Sequence, residues 1–344
     1  MILYILCYKQ RITDNLKSIN LNQMNSLKTP ILLIIFNRMD TTEQIFESIR
    51  QARPERLYIA ADGPRPEVGE DKISCMETRK IIDRIDWPCK LTTLFRDENL
   101  GTKHGIIAAL DWFFELEEEG IILEHDCLPS KDFFRFCTDL LERYRDDNRI
   151  MHIGGTNLQF GRKRGEASYY FSSIATIWGW ASWRRVWKLY SAEMKDFLQF
   201  EKEDQMINLF PDRRIADWLT AMAKQVFDKK ISTWDYPLGY SIAINNGLSI
   251  TPNVNLVSNI GFGDKAIHTR DSSHAHSNIP LAELAEIAHP SFFISNKQAD
   301  LYQLSLSVDN IKTSQATGEK LPNKPNILYR VKNKLFSSPS KVVQ

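Results

Sequence analysis

Short apolar segments that alternate with helical patterns constrain the fold of this chain more than any other feature of its sequence. The first segment, Pro30–Phe36, is apolar at every position, which is typical of a strand buried on both faces of a sheet. Further strands are predicted over residues 56–61, 91–95 and 120–124, with helices over residues 40–50, 72–85, 102–119 and 132–144. This alternation predicts an α/β fold, with a mostly parallel central sheet and helices on both faces.

Polar residues follow each of the four strands at the point where the strand ends. They are Asn37 and Arg38, then Asp62, then Arg96 and Asp97, and finally Glu124–Asp126. Parallel sheets bind ligands beyond the carboxyl ends of their strands. The four strand ends together predict a nucleotide site at this edge of the sheet, whereas any one of them alone is also explained by a strand that leads into a polar loop.

The charge balance excludes one class of partner. The 344 residues include 44 Lys and Arg against 43 Asp and Glu, a net charge of +1, so no overall positive field attracts nucleic acid. The longest apolar run, Ile31–Phe36, is far shorter than the ~20 residues that span a bilayer. Five cysteines without a CxxC spacing indicate reduced thiols rather than a disulfide framework or a zinc site. We therefore expect a cytoplasmic protein.

The two ends of the chain differ from its centre. Residues 1–28 include a second methionine, Met24, and lack the basic start of a secretory signal, so we expect an extension outside the fold. Residues 296–344 form a predicted basic tail, and its part 311–344 carries seven Lys and Arg against one Glu, a charge of +6. The tail fits either a basic amphipathic helix on the anionic inner face of the cell membrane or a solvated disordered segment.

The triplet Glu124-His125-Asp126 indicates metal chemistry. Mg²⁺ and Mn²⁺ prefer one or two carboxylates together with phosphate oxygens and water. A cation at this triplet would bridge a diphosphate and offset the charge of a leaving nucleoside diphosphate. Acidic triplets are also common on protein surfaces, and it is the position after the fourth strand that favours the metal site here.

The segment Asn99–Gly105 is a candidate phosphate contact. It precedes a predicted helix, and Gly101 permits a tight turn. Free N–H groups at the start of that helix can face an anion, and Lys103 or His104 would add positive charge near a phosphate. An ordinary helix cap is the alternative.

Tryptophans mark the second half of the chain. Trp180, Trp183 and Trp187 recur at the spacing of one helix face, which predicts a helix packed on the core. Trp178 lies off this stripe and is a candidate to stack on a sugar.

Two further residues are candidates for chemistry. Asp235 lies between two aromatic residues, and burial raises the pKa of a carboxyl group and makes it a better proton acceptor. A helix cap or a buried hydrogen-bond partner is the alternative. His268 lies in the glycine-flanked segment Asn259–Arg270, which is able to close over a ligand. It is a candidate metal ligand or phosphate contact, and a surface-loop histidine is the alternative.

The motifs occur in an order that resembles a known family. They are Phe36-Asn-Arg38, Asp62-Gly-Pro-Arg65, Asn99-Leu-Gly101, Ile121–Cys127, Asp132–Phe134, Trp178–Arg185 and Trp234-Asp235. Over residues 29–270 this order resembles GT-A-fold glycosyltransferases of a bacterial haemolysin-like group, and it is similar to that of the N-acetylglucosaminyltransferase I group. The resemblance implies a GT-A (Rossmann-like) domain over residues 29–295. Its nucleotide-binding half would be 29–150 and its acceptor-binding half 151–295.

The resemblance also implies roles for single residues. Arg38 and Asp62 match positions that hold the nucleoside diphosphate and the base. Asp126 matches the residue that touches the cation, and Asp235 matches the catalytic base of the inverting enzymes. Asn259–His268 matches the flexible loop that covers the donor.

One position departs from the family pattern. The family usually has Glu-Asp-Asp, whereas the middle residue here is His125, which removes one negative charge and should weaken cation binding. The residues assigned to nucleotide-sugar binding besides Arg38 and Asp62 are Phe36, Asn37, Asn99, Lys103, Glu124, His125 and Trp178.

The expected function is a metal-dependent inverting glycosyltransferase. It would use Mn²⁺ or Mg²⁺ to move a sugar from a nucleotide-sugar donor, a UDP-sugar by preference, to a hydroxyl of a cell-surface glycan. The acceptor partner would be a glycan or a lipid-linked molecule. The alternative is a non-catalytic module that binds a nucleotide or glycan, with His125 marking a decayed site. A sugar nucleotidyltransferase is disfavoured, because Phe36–Asp40 lacks the glycine-rich phosphate loop that such an enzyme needs after its first strand.

Overall fold

The computed structural model describes residues 26–263 and 274–316, with side chains described as far as residue 306. The strands of this part of the chain are β1 (Ile31–Ile35), β2 (Arg56–Ala61), β3 (Lys90–Phe95), β4 (Glu119–Glu124), β5 (Cys127–Pro129), β6 (Ile150–Gly154), β7 (Tyr169–Ser172), β8 (Trp180–Trp183), β9 (Leu248–Pro252) and β10 (Val257–Asn259).

Helices connect most of these strands. They are α1 (Met39–Ala52), α2 (Asp71–Arg79), a 3₁₀ helix (Lys80–Arg84), α3 (Gly101–Leu116), α4 (Lys131–Arg143), α5 (Arg184–Trp187), α6 (Phe197–Lys202), α7 (Met206–Leu209), α8 (Arg213–Phe227), α9 (Asp235–Ile244) and α10 (Lys297–Ala316).

Eight of the described strands form one sheet in the order β3-β2-β1-β4-β8-β6-β9-β7. The first four are parallel to one another, and β6 is parallel to β9, while β8 and β7 run antiparallel to their neighbours. The prediction of a mostly parallel central sheet flanked by helices is confirmed, and the arrangement is Rossmann-like. The short strand β5, which directly follows β4 in the chain, pairs with β10 in a separate antiparallel sheet.

The central strand β1 shows why the chain adopts this architecture. Ile31, Leu32 and Leu33 are fully buried because helices cover both faces of the sheet and β2 and β4 flank β1. Burial of such a side chain contributes about 1.5–3 kcal/mol, and a continuous apolar strand gains this contribution on both faces. The first turn of α1 follows within four residues of the strand, so the polar segment after β1 stays at the edge of the sheet.

The predicted tryptophan helix is wrong. Trp180 and Trp183 belong to strand β8, and the helix that follows spans only Arg184–Trp187. All four residues of β8 are buried, since the strand pairs with both β4 and β6. A strand buried on both faces shows no alternation of polar and apolar residues, so its sequence does not reveal the period of two. Helix α3 also ends earlier than predicted, at Leu116, because Glu119 already begins β4.

The segments near both ends of the described chain are attached to the domain. Leu27 pairs with Pro54, and its backbone N–H donates to the carbonyl of Arg53 at 3.2 Å. In α10, Ala299 and Leu304 are buried, and buried Asp300 accepts a hydrogen bond of 2.6 Å from the hydroxyl of Ser172. The packed structure thus extends beyond both predicted boundaries, to residues before 29 and to residues after 295.

The remaining predictions for the ends fall elsewhere. Residues 1–25 and 317–344, which include most of the predicted membrane-binding segment, lie outside the described residues. In the part of the chain that is described, no helix has the length and apolar character needed to cross a bilayer.

Candidate functional site

A cavity of about 450 Å³ opens at the carboxyl ends of β1, β2, β3 and β4. Its volume lies within the range of small-molecule binding sites. The segments that follow these strands line it, together with the first turn of α3, residues 177–178, residues 232–235 and residues 259–262. The predicted residues that line it are Phe36, Arg38, Asp62, Asn99, Lys103, Glu124, His125, Asp126, Trp178 and Asp235.

Two predicted residues do not appear in the cavity wall. Asn37 lies outside the lining, where its side-chain N–H donates to Asp71 at 2.7 Å. His268 lies outside the described residues. Arg65 and Arg96 also line the cavity. Arg96 was noted only among the polar strand ends and Arg65 only within the Asp62–Arg65 motif, and neither was assigned a role in binding. Both occupy segments that directly follow predicted strands, and that position is the signal by which they could have been found.

Three carboxyl groups form the acidic end of the cavity. Glu124 is the last residue of β4, Asp126 follows it, and Asp235 begins α9. Burial, together with the negative charges of Asp126 and Asp235, raises the pKa of Glu124 to about 8. All three side chains line this part of the cavity, and both aspartates lie close enough to Glu124 for their charges to act on it.

His125 is held between the two acidic residues of the triplet. Its backbone N–H donates to the carbonyl of Ile34 at 2.9 Å, which extends the β1–β4 pairing beyond the strand. Burial lowers the pKa of its imidazole, and the charge of Arg38 lowers it further against an opposing effect of Asp126. The ring is therefore neutral at pH 7, so His125 adds no positive charge to the triplet.

Gly261 connects Asp126 with Arg38. The carbonyl of Gly261 accepts a hydrogen bond of 3.0 Å from Nη1 of Arg38, and its N–H donates to the side chain of Asn259 at 2.8 Å. A Cβ atom at this position would collide with the side chain of Asp126. Glycine is required here because the loop passes directly over that carboxylate.

Asp235 is fixed on one of its two carboxylate oxygens. Oδ1 accepts hydrogen bonds from the N–H of Tyr236, at 2.9 Å, and from the hydroxyl of Thr233. The preceding Trp234 stacks on buried Trp180 with ring centres 6.1 Å apart, which anchors the start of α9 to the sheet. Among the described residues Oδ2 has no hydrogen-bond partner, so it can accept a proton from a ligand.

The opposite end of the cavity is basic. Arg65, Arg96 and Lys103 line it, after β2, after β3 and in the first turn of α3. The N–H groups at the start of α3, predicted to face an anion, do so, but the anion is the carboxylate of Asp62. That carboxylate accepts hydrogen bonds from the N–H of Leu100 and of Gly101 at 2.9–3.0 Å, and Asn99 donates to it at 3.1 Å.

The aromatic residues of the wall differ in their surroundings. The guanidinium of Arg65 lies 5.5 Å from the ring centre of Phe36. Trp178 packs edge-on against Phe262 with centres 5.8 Å apart, and against His276 at 6.1 Å. Trp178 therefore packs against the loop that passes over Asp126, whereas Phe36 lies at the basic end.

The donor set of the acidic end suits a hard cation only when a ligand completes it. In the described ranges no group of three or more His, Cys, Asp or Glu side chains is placed to hold a metal ion. Asp126 and Glu124 offer oxygen ligands, which Mg²⁺ and Mn²⁺ prefer, and both ions commonly take one or two carboxylates with water and phosphate oxygens. The residues present fit such a cation together with a bound diphosphate.

Comparison with known proteins gives no family assignment. No family model matches the chain, and no curated protein matches it. Similar solved structures include HddC from Yersinia pseudotuberculosis, with a TM-score of 0.30 at 11% identity, over 47% of this chain and 80% of that one. UDP-glucose pyrophosphorylase in complex with UDP-glucose gives a TM-score of 0.28 at 13% identity, over 47% and 78%. The 4-diphosphocytidyl-2C-methyl-D-erythritol synthase of Anaerococcus prevotii gives 0.30 at 9%, over 47% and 75%.

Proposed function

We propose that this chain is a metal-dependent inverting glycosyltransferase that uses a nucleotide-sugar as donor and a glycan hydroxyl as acceptor. One observation carries the proposal: Asp126, Glu124 and Asp235 line one end of a cavity that also contains Arg38 and, at its opposite end, further basic side chains. The groups of a nucleotide-sugar fit this arrangement, because its anionic diphosphate, which a cation and basic side chains can bind, lies between its nucleoside and its sugar.

Asp235 is the proposed general base. As the acceptor oxygen attacks the anomeric carbon, Oδ2 takes the hydroxyl proton, and the bond between the sugar and the nucleoside diphosphate breaks. The hydrogen bonds from Thr233 and Tyr236 to Oδ1 hold the carboxylate in place, so that Oδ2 faces the reaction. Attack from the side opposite the leaving group inverts the anomeric configuration.

Asp126 and Arg38 are the proposed residues for the leaving diphosphate. Arg38 is largely buried, with its side chain 12% exposed, and its hydrogen bond to the carbonyl of Gly261 holds its guanidinium at the loop that passes over Asp126. Asp126, with Glu124, would hold Mn²⁺ or Mg²⁺ against the diphosphate, and this cation would offset the negative charge that develops on the leaving group. His125 is compatible with a cation at Asp126 and Glu124, because a neutral ring does not repel the cation.

One observation favours the alternative, a non-catalytic module that binds nucleotides. Within the described residues the cation has few protein ligands available to it. The two functions differ in turnover, since a module binds UDP in a metal-dependent way and releases it unchanged.

Thermal unfolding with and without Mn²⁺ tests the proposal, in a screen of UDP-, GDP-, TDP- and ADP-sugars. Ligand at a hundredfold excess over its Kd stabilises the native state by about 2.7 kcal/mol. We expect a nucleotide-sugar to raise the Tm only when Mn²⁺ or Mg²⁺ is present, and the same donor to be hydrolysed slowly to free sugar and nucleoside diphosphate. Metal-dependent binding without any hydrolysis or transfer would support the module instead, and no binding by any nucleotide-sugar would remove both the transferase and a nucleotide-binding module.

A further inference from the structure

Asp62 and Arg65 both line the cavity after β2, but only one of them retains free hydrogen-bonding capacity. Both carboxylate oxygens of Asp62 accept hydrogen bonds from backbone N–H groups of its own loop and of the start of α3, and Asn99 adds another. A carboxylate has about four acceptor sites. Asp62 is therefore filled within the protein and acts as a positioning residue.

Arg65 is fixed from behind by a buried carboxylate. The side chain of Asp71 is 3% exposed, and it accepts hydrogen bonds from Nε of Arg65 at 2.5 Å and from Nη2 at 2.9 Å. The backbone N–H of Arg65 also donates to Asp71 at 3.3 Å, and Asn37 donates to it at 2.7 Å. This arrangement explains why Asn37 follows β1 and yet lies outside the cavity.

The outer edge of the Arg65 guanidinium remains available. Asp71 occupies the edge formed by Nε and one N–H of Nη2, so two N–H groups of Nη1 and one of Nη2 have no partner among the described residues. The N–H groups at the end of a guanidinium form a planar fork for oxygen acceptors. Because Asp71 already fixes the side chain, little conformational entropy is lost when this fork binds a ligand.

The order of the strands determines which part of a nucleotide this fork meets. β2 lies two strands from β4, which is about 10 Å at the usual strand spacing. With the sugar beside the proposed base Asp235, a diphosphate held at Asp126 would direct its nucleoside towards the other end of the cavity, at β2 and β3. At that end the ring of Phe36 lies against Arg65, and Leu94 and Ile106 add apolar surface, which suits the flat face of a base.

We propose that Arg65 determines the choice of base by donating hydrogen bonds to the carbonyl at C4 of a uracil base in the donor nucleotide, with Asp71 and Asn37 as positioning residues. This inference rests on the proposed function. Uracil carries a carbonyl oxygen where cytosine carries an amino group. An amino group against the fork sets donor against donor and leaves both unsatisfied, which is strongly unfavourable in a partly buried site. The site therefore selects UDP over CDP.

Isothermal titration calorimetry with UDP, CDP and pyrophosphate in the presence of Mn²⁺ tests this selection. The wild type is expected to bind UDP at least about tenfold more tightly than CDP, an effect the size of one lost hydrogen bond. Arg65→Met should bring the two nucleotides to within about twofold of each other and leave pyrophosphate binding unchanged. Arg65→Lys keeps a charge beside Asp71 but lacks the fork, so it guards against misfolding and should show the same loss of selection. Asn37→Ala should lower the ratio partially.

Arg149→Met is the matched control, because Arg149 also forms a two-bond pair with an aspartate, Asp147, but lies outside the cavity lining. It should retain the wild-type ratio. Equal binding of UDP and CDP by the wild type, or a ratio that survives Arg65→Lys, overturns the inference alone. If Arg65→Met loses affinity for pyrophosphate and for UDP equally, the inference is overturned, and Arg65 contacts a phosphate instead. Failure of the wild type to bind either nucleotide overturns the proposed function as well.

Discussion

At the β4 end of the cavity the carboxyl groups face one another, whereas at the β2 end each carboxylate is paired within the protein. Glu124 is close enough to Asp126 and Asp235 that their charges raise its pKa. Asp71, by contrast, has its pKa lowered, chiefly by the hydrogen bonds from Arg65. The β4 end therefore has unpaired negative charge that can bind a cation, whereas the carboxylates of the β2 end are already paired within the protein.

The difference separates reaction from binding. Charge that converges without a partner is costly in the free protein and is offset only when a ligand arrives, which is typical of groups that act in catalysis. Charge that is already paired holds side chains in one orientation and favours selective binding. Substitutions at the β4 end should therefore change turnover, and substitutions at the β2 end should change affinity.

The largest effect is expected from Asp235→Asn at the β4 end. An amide cannot accept the proton of the acceptor hydroxyl, and a positioned general base contributes roughly 10²–10⁴-fold to a rate. Donor hydrolysis and sugar transfer should fall by about this factor, while the Kd for UDP stays within about twofold of the wild type. Steady-state rates at saturating donor, with calorimetry for UDP, measure the two quantities.

Asp217→Asn is the control for this substitution. Asp217 lies on α8 with its side chain 64% exposed, and it is not part of the cavity wall. It should leave both quantities unchanged. Full activity of Asp235→Asn would remove Asp235 from the role of base and would leave the two ends of the cavity without the proposed division.

Asp126→Asn should produce the next largest effect. It removes the proposed carboxylate ligand, and a change near a metal site commonly costs 10–100-fold in metal affinity or activity, so we expect a loss of at least roughly that size in the apparent affinity for Mn²⁺. Titration of Mn²⁺ against UDP-induced stabilisation measures it. Asp97→Asn is the matched control, since Asp97 follows β3 but does not line the cavity. Metal dependence that persists unchanged in Asp126→Asn would contradict a cation at the β4 end.

At the basic end, Lys103→Ala should weaken UDP binding by about three- to tenfold and leave turnover at saturating donor unchanged, because one partly exposed charge is lost from the binding surface. The difference from wild type should shrink as salt rises. Lys131→Ala is the control, because Lys131 also lies in the first turn of a helix but is exposed outside the cavity. A fall in turnover rather than affinity would reverse the proposed roles of the two ends.

The parallel half of the sheet and its polar edge were predictable from sequence for a physical reason. A strand such as Ile31–Ile35 buries both faces, and the residue that follows it must leave the sheet at the carboxyl edge. Position along the chain therefore fixes position in space for Arg38, Asp62 and Asp126. What stayed hidden was how their side chains pair. The partner of Asp62 is the start of α3, 38 residues later, and no local pattern encodes that contact.

The second half was harder to predict because its elements are mixed. β8 is antiparallel to its neighbours, is buried on both faces and leads directly into a helix of one turn, so Trp180 and Trp187 fit a helical spacing by coincidence. Asp235 was chosen as a candidate through its aromatic neighbours, whereas its place at the start of α9 and in the cavity wall involves the stack of Trp234 on Trp180. Contacts between distant segments of this kind override local sequence preference.

The smallest expected effect concerns stability rather than activity, and it uses the paired charge of the β2 end. The pKa of Asp71 is lower in the folded protein than in the unfolded chain, so its contribution to stability is present above the unfolded pKa and is lost as pH falls through the folded value. Asp71→Asn should lower the free energy of unfolding at pH 7 by about 1 kcal/mol and flatten its decline below pH 4. Asp86, whose pKa the exposed Arg50 also lowers, is the control, and because that pair is solvated Asp86→Asn should have little effect. The free energy of unfolding is measured by urea titration at a series of pH values. If it declines equally steeply below pH 4 in the wild type and in Asp71→Asn, this carboxylate does not hold the β2 end.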